Sequence, residues 1–244
     1  MSLLEIKNLT HGFADQALYQ GVNLALQAGE HVGVVGKNGA GKSTLIKILT
    51  GEISQDAGEI AWRPRLRVGA LDQNALLNAD ETVYGALRGA FSALYEAEEK
   101  MLALYAAGGE AALEKAGRLQ TLLIDEGFYE VESRIARVAQ GLGLTGLGLE
   151  KRVGRLSGGQ RAKVAMARLL LQDMDVLLLD EPTNFFDRAQ IDWLAEALSA
   201  FRGAFLCVSH DEAFLARVAN RDWDVDALMI RAYRGEFAAY RRQK

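Results

Sequence analysis

From residue 3 to residue 35 the apolar positions fall in short runs cut by turn-forming residues: LLEIKNL, ALYQ, VNLALQ and HVGVVG. Such runs predict short strands, the first three an antiparallel opening and the last, free of charge, a buried strand. The period then changes. In STLIKILTG the side chains of Leu45, Ile46, Ile48 and Leu49 collect mostly on one side, so a helix closed by Gly51 is expected. RLRVGALDQ predicts another strand, ending at Asp72 and Gln73. From about residue 81 to 140, alanine, leucine, glutamate and lysine dominate without proline, and Gly108, Gly109 and Gly127 are the main breaks, a pattern of two or three helices. Afterwards strand and helix alternate: DVLLLDE, a helix around IDWLAEALSAF, AFLCVSHD and a helix over DEAFLARVA. Alternation of this kind implies a parallel sheet with helices on its faces, and ligands gather beyond the carboxyl ends of such strands. The expected class is α/β, with a mixed sheet, antiparallel N-terminal strands and an inserted helical lobe. Residues 1–80 and 151–244 are assigned to the core and 81–150 to the lobe.

Composition narrows this picture only a little. The 244 residues are 50% hydrophobic and 25% charged, as expected of a globular chain with one main core. A formal net charge of -4 excludes a broadly basic surface, so any nucleic-acid contact must come from a local patch. Cys207 is the sole cysteine and lies within the apolar run AFLCVS, which points to a buried thiol, no disulfide framework and a reducing, cytoplasmic setting. The start MSLLEIKNLT lacks the features of a secretory signal, and no apolar run approaches the roughly 20 residues that span a bilayer, so no direct membrane insertion is expected.

The candidate chemistry lies in the loops. Gly36-Lys37-Asn38-Gly39-Ala40-Gly41-Lys42-Ser43 fits G-x-x-x-x-G-K-[ST], set after an apolar strand and before a helix, the context of a phosphate-binding P-loop. Its glycines let successive backbone N–H groups turn inward around a polyphosphate, Lys42 reaches the outer phosphates, and the Ser43 hydroxyl suits Mg²⁺. Val176 to Leu179 form an unbroken apolar strand that delivers Asp180 and Glu181 at its end. Asp180 is assigned to the metal and Glu181 to orienting an attacking water. His210 follows the strand in CVSHDEAF, and Gln73 ends RLRVGALDQ, so both are expected at the same sheet edge. A second glycine turn, Leu156-Ser157-Gly158-Gly159-Gln160-Arg161, feeds the helical segment RAKVAMARLLLQ. It has the form of another phosphate-facing helix start, and also of a helix simply capped by Ser157.

GKNGAGKST, LDQN, LSGGQR, VLLLDEPTN and VSHDEAF, in this order, resemble the nucleotide-binding domains of ABC ATPases from about Phe13 to Tyr240. The resemblance implies a P-loop NTPase fold of ABC type that binds ATP with Mg²⁺ and hydrolyses it when paired head to tail with a second ABC domain. It also implies that Ser157, Gly158, Gly159 and Gln160 contact ATP held by that partner, which accounts for two phosphate loops in one chain. Gly36, Asn38, Gly39, Ala40, Gly41, Lys42, Ser43 and Thr44 would hold this chain's own nucleotide, with Phe13 against the adenine. Ser43, Asp180 and Gln73 would organise Mg²⁺, Glu181, His210 and Gln73 would act in hydrolysis, and Asp187 would lie where facing sites communicate.

Within the family, Asn184 in EPTN, IDWLAEAL, VSHDEAFL and the ending YRGEFAAY, with Tyr233, Gly235, Phe237 and Tyr240, resemble the ABC-F branch, whose members act on ribosomes. In that branch the helical lobe carries an arm-like insertion, and two ABC domains usually stand in one chain, so the expected partner is a second copy or a C-terminal half. The ribosome or its RNA is a further expected partner. Phe185, Phe186 and Glu212 depart from the branch's usual Asn-His-Leu-Asp segment and arginine, and Met174 stands where proline is usual. Two other readings stay open: a transporter motor subunit, and a nucleotide-gated interaction module whose output is binding.

Overall fold

The computed structural model describes residues 2–13, 16–71 and 77–234. The chain divides into two compact units, Met1–Asp72 with Asp173–Lys244, and Gln73–Gln172.

In the first unit, β1 (Ser2–Phe13), β2 (Gln16–Gln27) and β4 (Ala57–Trp62) form an antiparallel sheet in the order β2-β1-β4. Leu4, Ile6 and Leu9 of β1 are buried, and a register shift between Ile6 and Leu9, where Asn8 takes φ 52°, keeps Leu9 facing the core. The stretches ALYQ and VNLALQ, expected as two strands, are one: Gly21 at φ 65° passes between them while its N–H donates to the Thr10 hydroxyl at 3.1 Å.

A six-stranded sheet carries β5 (Val68–Ala70), β6 (Val176–Asp180), β7 (Ala204–Val208), β3 (His31–Gly36), β8 (Arg221–Asp226) and β9 (Met229–Arg234) in that spatial order. The first five run parallel and β9 returns antiparallel to β8. Strand β7 is buried at every position and β6 at all but its last, as central strands covered on both faces must be. Helix α1 (Lys42–Thr50) shares one hydrophobic cluster with both sheets, its Leu45 and Leu49 buried with Leu4, Leu26, Val34, Leu206 and Trp223. Helices α7 (Arg188–Ser199) and α8 (Glu212–Val218) follow β6 and β7. Because β6, β7 and β3 are parallel neighbours, their carboxyl ends bring Asp180, Val208 and Gly36 to one edge.

Of the strand expected over RLRVGALDQ, Val68–Ala70 is strand among the described residues, which end here at Leu71; the expected site residue Gln73 lies outside them, as do Gly235, Phe237 and Tyr240. Three strands were not anticipated, β4, β8 and β9. The string RDWDVD alternates acids with apolar residues, and reading it as a strand requires burying Asp222 and Asp224, which only the tertiary structure does.

The second unit holds α2 (Val83–Arg88), α3 (Ser92–Ala107), α4 (Glu110–Asp125), α5 (Val131–Gly141) and α6 (Gly158–Leu171). Four helices therefore stand between residues 81 and 141 where two or three were expected, because a short 3-10 turn at Gly89–Phe91 divides α2 from α3. Gly108 and Gly109, at φ 65° and 84°, turn the chain so that α3 and α4 pack as a hairpin. Backbone bonds from Val83 to Lys151, Val153 to Glu81 and Gly154 to Ala79 tie 79–83 to 151–154, and α6 packs on α2 and α5. The compact unit that holds these helices runs Gln73–Gln172 and includes Ser157 to Gln160. Arg134 closes this unit, its guanidinium 4.8 Å from the Phe91 ring and donating to the Leu171 carbonyl at 3.3 Å.

Candidate functional site

The loop between β3 and α1 is shaped by glycine. Gly36, Gly39 and Gly41 take φ 144°, 78° and 102°, a region that side chains disfavour, and a Cβ at Gly36 would stand 2.4 Å from the Val225 carbonyl oxygen. Ala40 N–H bonds the Lys37 carbonyl at 3.2 Å, and its methyl group packs on the core. The Lys42 ammonium is buried and donates to the carbonyls of Gly36 and Lys37 at 2.9 and 3.0 Å. Burial pulls its pKa down, while the negative charges of Glu181 and Asp180 hold against that.

The end of β6 meets the start of α1 directly: the Ser43 hydroxyl donates to Asp180 Oδ1 at 3.0 Å. Glu181 stands just past the strand with φ 49°, unusual for a residue with a side chain, and its N–H donates to the Val208 carbonyl at 2.8 Å. Its carboxylate accepts the His210 N–H at 3.3 Å and lies 3.1 Å from His210 Nε2. Burial pushes the Glu181 carboxyl above its usual range, and the His210 N–H and ring pull the other way. The two partners differ in exposure: the Glu181 side chain is 15% exposed and that of His210 61%.

One cavity of about 410 Å³ collects Phe13, Asn38, Gly39, Gly41, Lys42, Ser43, Thr44, Glu181 and His210. Phe13 is 51% exposed and meets the edge of His11 at 4.9 Å. Gln16 and Leu18 also line the cavity and were not anticipated: Leu18 carried only the signal of a strand, and Gln16 fell outside the expected strands. A larger cavity of about 700 Å³ in the same unit, lined by Glu5, Lys7, Asn23 and Arg221, contains none of the motif residues.

The second glycine turn is a capped helix start. The Ser157 hydroxyl accepts the Gln160 N–H at 3.3 Å, and the Gln160 side chain accepts the Ser157 N–H at 3.0 Å, a reciprocal box at the head of α6. Ser157 and Gly158 are exposed, Gly159 and Gln160 half-buried. Asp187 builds the same box with Gln190 at the head of α7. The single cysteine, Cys207, is buried in β7, and burial drives its thiol far above the usual range.

The site has the parts that a nucleoside triphosphate with Mg²⁺ requires: a glycine cradle, a lysine at its base, and a hydroxyl beside a carboxylate. The sequence profile described as ABC transporter matches residues 19–184. The chain belongs to the ABC transporter ATP-binding domain family. It is 42% identical over 244 residues to the ABC transporter ATP-binding protein YfmM of Bacillus subtilis, covering 97% of this chain and 47% of that one. The tylosin resistance ATP-binding protein TlrC of Streptomyces fradiae is 36% identical, over 98% of this chain and 45% of its own. The energy-dependent translational throttle protein EttA of Escherichia coli K12 is 33% identical, over 93% of this chain and 42% of its own. The chain thus spans less than half the length of each of these relatives.

Among solved structures, an ATP binding subunit of an ABC transporter superposes with a TM-score of 0.71 at 23% identity, over 99% of this chain and 93% of that one. The fold is that of an ABC ATPase, an α/β P-loop NTPase with a mixed sheet and antiparallel N-terminal strands. Domains of this family bind ATP, generally with Mg²⁺, generally hydrolyse it, and work with a second ABC domain. No helix among the described residues is long and apolar enough to cross a membrane.

Proposed function

We propose that this chain is an ABC domain of the ABC-F type, which hydrolyses ATP once paired across MgATP with a second copy or a second half and acts on the ribosome in translation. The observation that carries the enzymatic part is the convergence of Lys42, Ser43, Asp180, Glu181 and His210 at one sheet edge, five residues from three separate stretches of the chain. The loop N–H groups and Lys42 bind the phosphates, and Phe13 offers its exposed face to the base. Ser43 and Asp180 hold Mg²⁺, which when bound offsets charge on the outer phosphates. Glu181 accepts a proton from water, and its raised pKa makes it a stronger base when ionised; His210 holds the carboxylate in place. Ser157 to Gln160 serve the nucleotide of the partner. The ribosomal part is supported by the likeness to EttA, whose name places it in translation, and by the EPTN, IDWLAEAL and YRGEFAAY segments. A cytoplasmic location agrees with the buried, reduced Cys207.

The test is the mass of the protein in solution. Glu181→Gln is expected to retain MgATP, lose turnover by about 100-fold or more, and accumulate as an ATP-bound pair that pellets with ribosomes. Lys42→Ala is expected to lose binding and pairing together. A Glu181→Gln protein that stays monomeric at saturating MgATP overturns the pairing. A pair that ignores ribosomes favours the transporter reading, for which the profile match and the likeness to a transporter's ATP binding subunit speak. The departures at Phe185, Phe186 and Glu212 speak for a third outcome, a nucleotide-gated switch with little hydrolysis, which background ATPase rates at high protein concentration would bring out.

A further inference from the structure

We infer that Tyr19 is a positioning residue for phosphate binding: from β2 it fixes the start of α1 and thereby the glycine loop. The inference rests on the nucleotide reading of the site given above. Tyr19 is fully buried, and its hydroxyl donates to the Gly41 carbonyl. The same carbonyl accepts the Leu45 N–H at 2.9 Å, the first turn of α1, so one oxygen is held at once by the helix and by the sheet beside it. Lys42 and Ser43 follow immediately.

The fit is close. A Cβ on Gly41 would lie 2.6 Å from the Tyr19 hydroxyl, so Gly41 is glycine for two reasons, its φ of 102° and the tyrosine pressed against it. Burial pushes the Tyr19 hydroxyl well above its ordinary pKa, which keeps it a donor across the working pH range. Its neighbours share the task. Leu18 lines the nucleotide cavity, and the Gln20 N–H bonds the Leu228 carbonyl at 2.9 Å in the turn between β8 and β9.

The physical need is plain. Gly36, Gly39 and Gly41 have little intrinsic preference for the conformations they hold, so a loop built from them loses much conformational freedom on ordering. A hydrogen bond that is already in place before ligand arrives shifts that cost from binding to folding. Gly41 offers no side-chain cap at the head of α1, and the Tyr19 hydroxyl fixes that end from the carbonyl side instead.

The experiment is titration of the full chain with MgATP, MgADP and adenosine, with hydrogen exchange over residues 41–45. Tyr19→Phe keeps the ring and removes only the hydroxyl. It is expected to weaken MgATP and MgADP by about fivefold, leave adenosine unchanged, and speed exchange at the Leu45 amide. Tyr19→Leu, a second variant without the hydroxyl, should reproduce the phosphate-dependent loss. Unchanged MgATP affinity in a folded variant, or equal weakening of adenosine and MgATP, overturns the inference. Failure of the unaltered chain to bind MgATP would instead sink the reading of the site, and is seen in the control titration.

Discussion

Asp222 lies on β8 with 1% of its surface exposed, its Oδ1 without a hydrogen-bonding partner among the described residues, and Asp224 two positions along the strand. Burial first, and then the charge of Asp224, lift its pKa from 3.8 to about 6. A carboxyl whose pKa is raised by folding keeps its proton longer in the native state, so its contribution is present at low pH and is lost as pH climbs from about 4 through about 6. Asp222→Asn, which copies the protonated shape, should therefore raise unfolding stability at pH 8 by about 1–3 kcal/mol and change little at pH 4. Thermal melts of both proteins at the two pH values decide it; an equal effect at both would show that packing alone is at stake. The residues of the P-loop were legible in the sequence because glycine spacing is itself a statement about backbone angles. Asp222 and Tyr19 were not, since no local pattern reveals that an acid or a hydroxyl will be buried.

Helix α6 begins at a loop with one observed role and one proposed role. Ser157 and Gln160 cap it reciprocally, and the same exposed turn is the one proposed to meet a partner's nucleotide. Two substitutions separate the roles. Ser157→Ala removes the cap and should cost about 1 kcal/mol of stability. Ser157→Asp keeps a good cap and so should hold the melting temperature, but it places a negative charge against triphosphate and should cut turnover by more than about tenfold. Stable protein with normal turnover in Ser157→Asp would remove this loop from the chemistry. The apolar strands β3, β6 and β7 and helices α1, α7 and α8 were readable because their periodicity is strong and their ends carry caps or glycine. Strands β4, β8 and β9 escaped because AGEIAW, RDWDVD and MIRAYR mix charge with apolar residues, and pairing with a neighbouring strand, not pattern, makes them strands.

At the scale of the molecule, the helical unit carries its own surface. Leu102, Leu113, Leu122 and Ile124 on α3 and α4 are exposed, an apolar set on a hairpin outside the nucleotide site. If the ribosomal reading holds, Leu102→Ser, Leu113→Ser and Ile124→Ser together should leave MgATP affinity unchanged and lower ribosome pelleting several-fold. Retained pelleting would place the partner contact elsewhere. Glu132 accepts the hydroxyls of Tyr84 and Tyr95 at 2.7 and 2.9 Å, and the bond to Glu132 first, then burial, carries the Tyr84 hydroxyl up to about 12, so these bonds persist through ordinary pH.

What the sequence determined by itself was the residues of each motif and the class of fold, because glycine spacing, apolar runs and acids at strand ends are local consequences of backbone geometry and strand burial. What only the tertiary structure decided was adjacency: that Ser43 reaches Asp180, that Glu181 sits 3.1 Å from His210, and that Tyr19 holds Gly41. The partners in these pairs lie 137, 29 and 22 residues apart in the chain. Contact over such separations follows from strand order and register, which side-by-side packing of whole elements fixes and no short stretch of residues encodes.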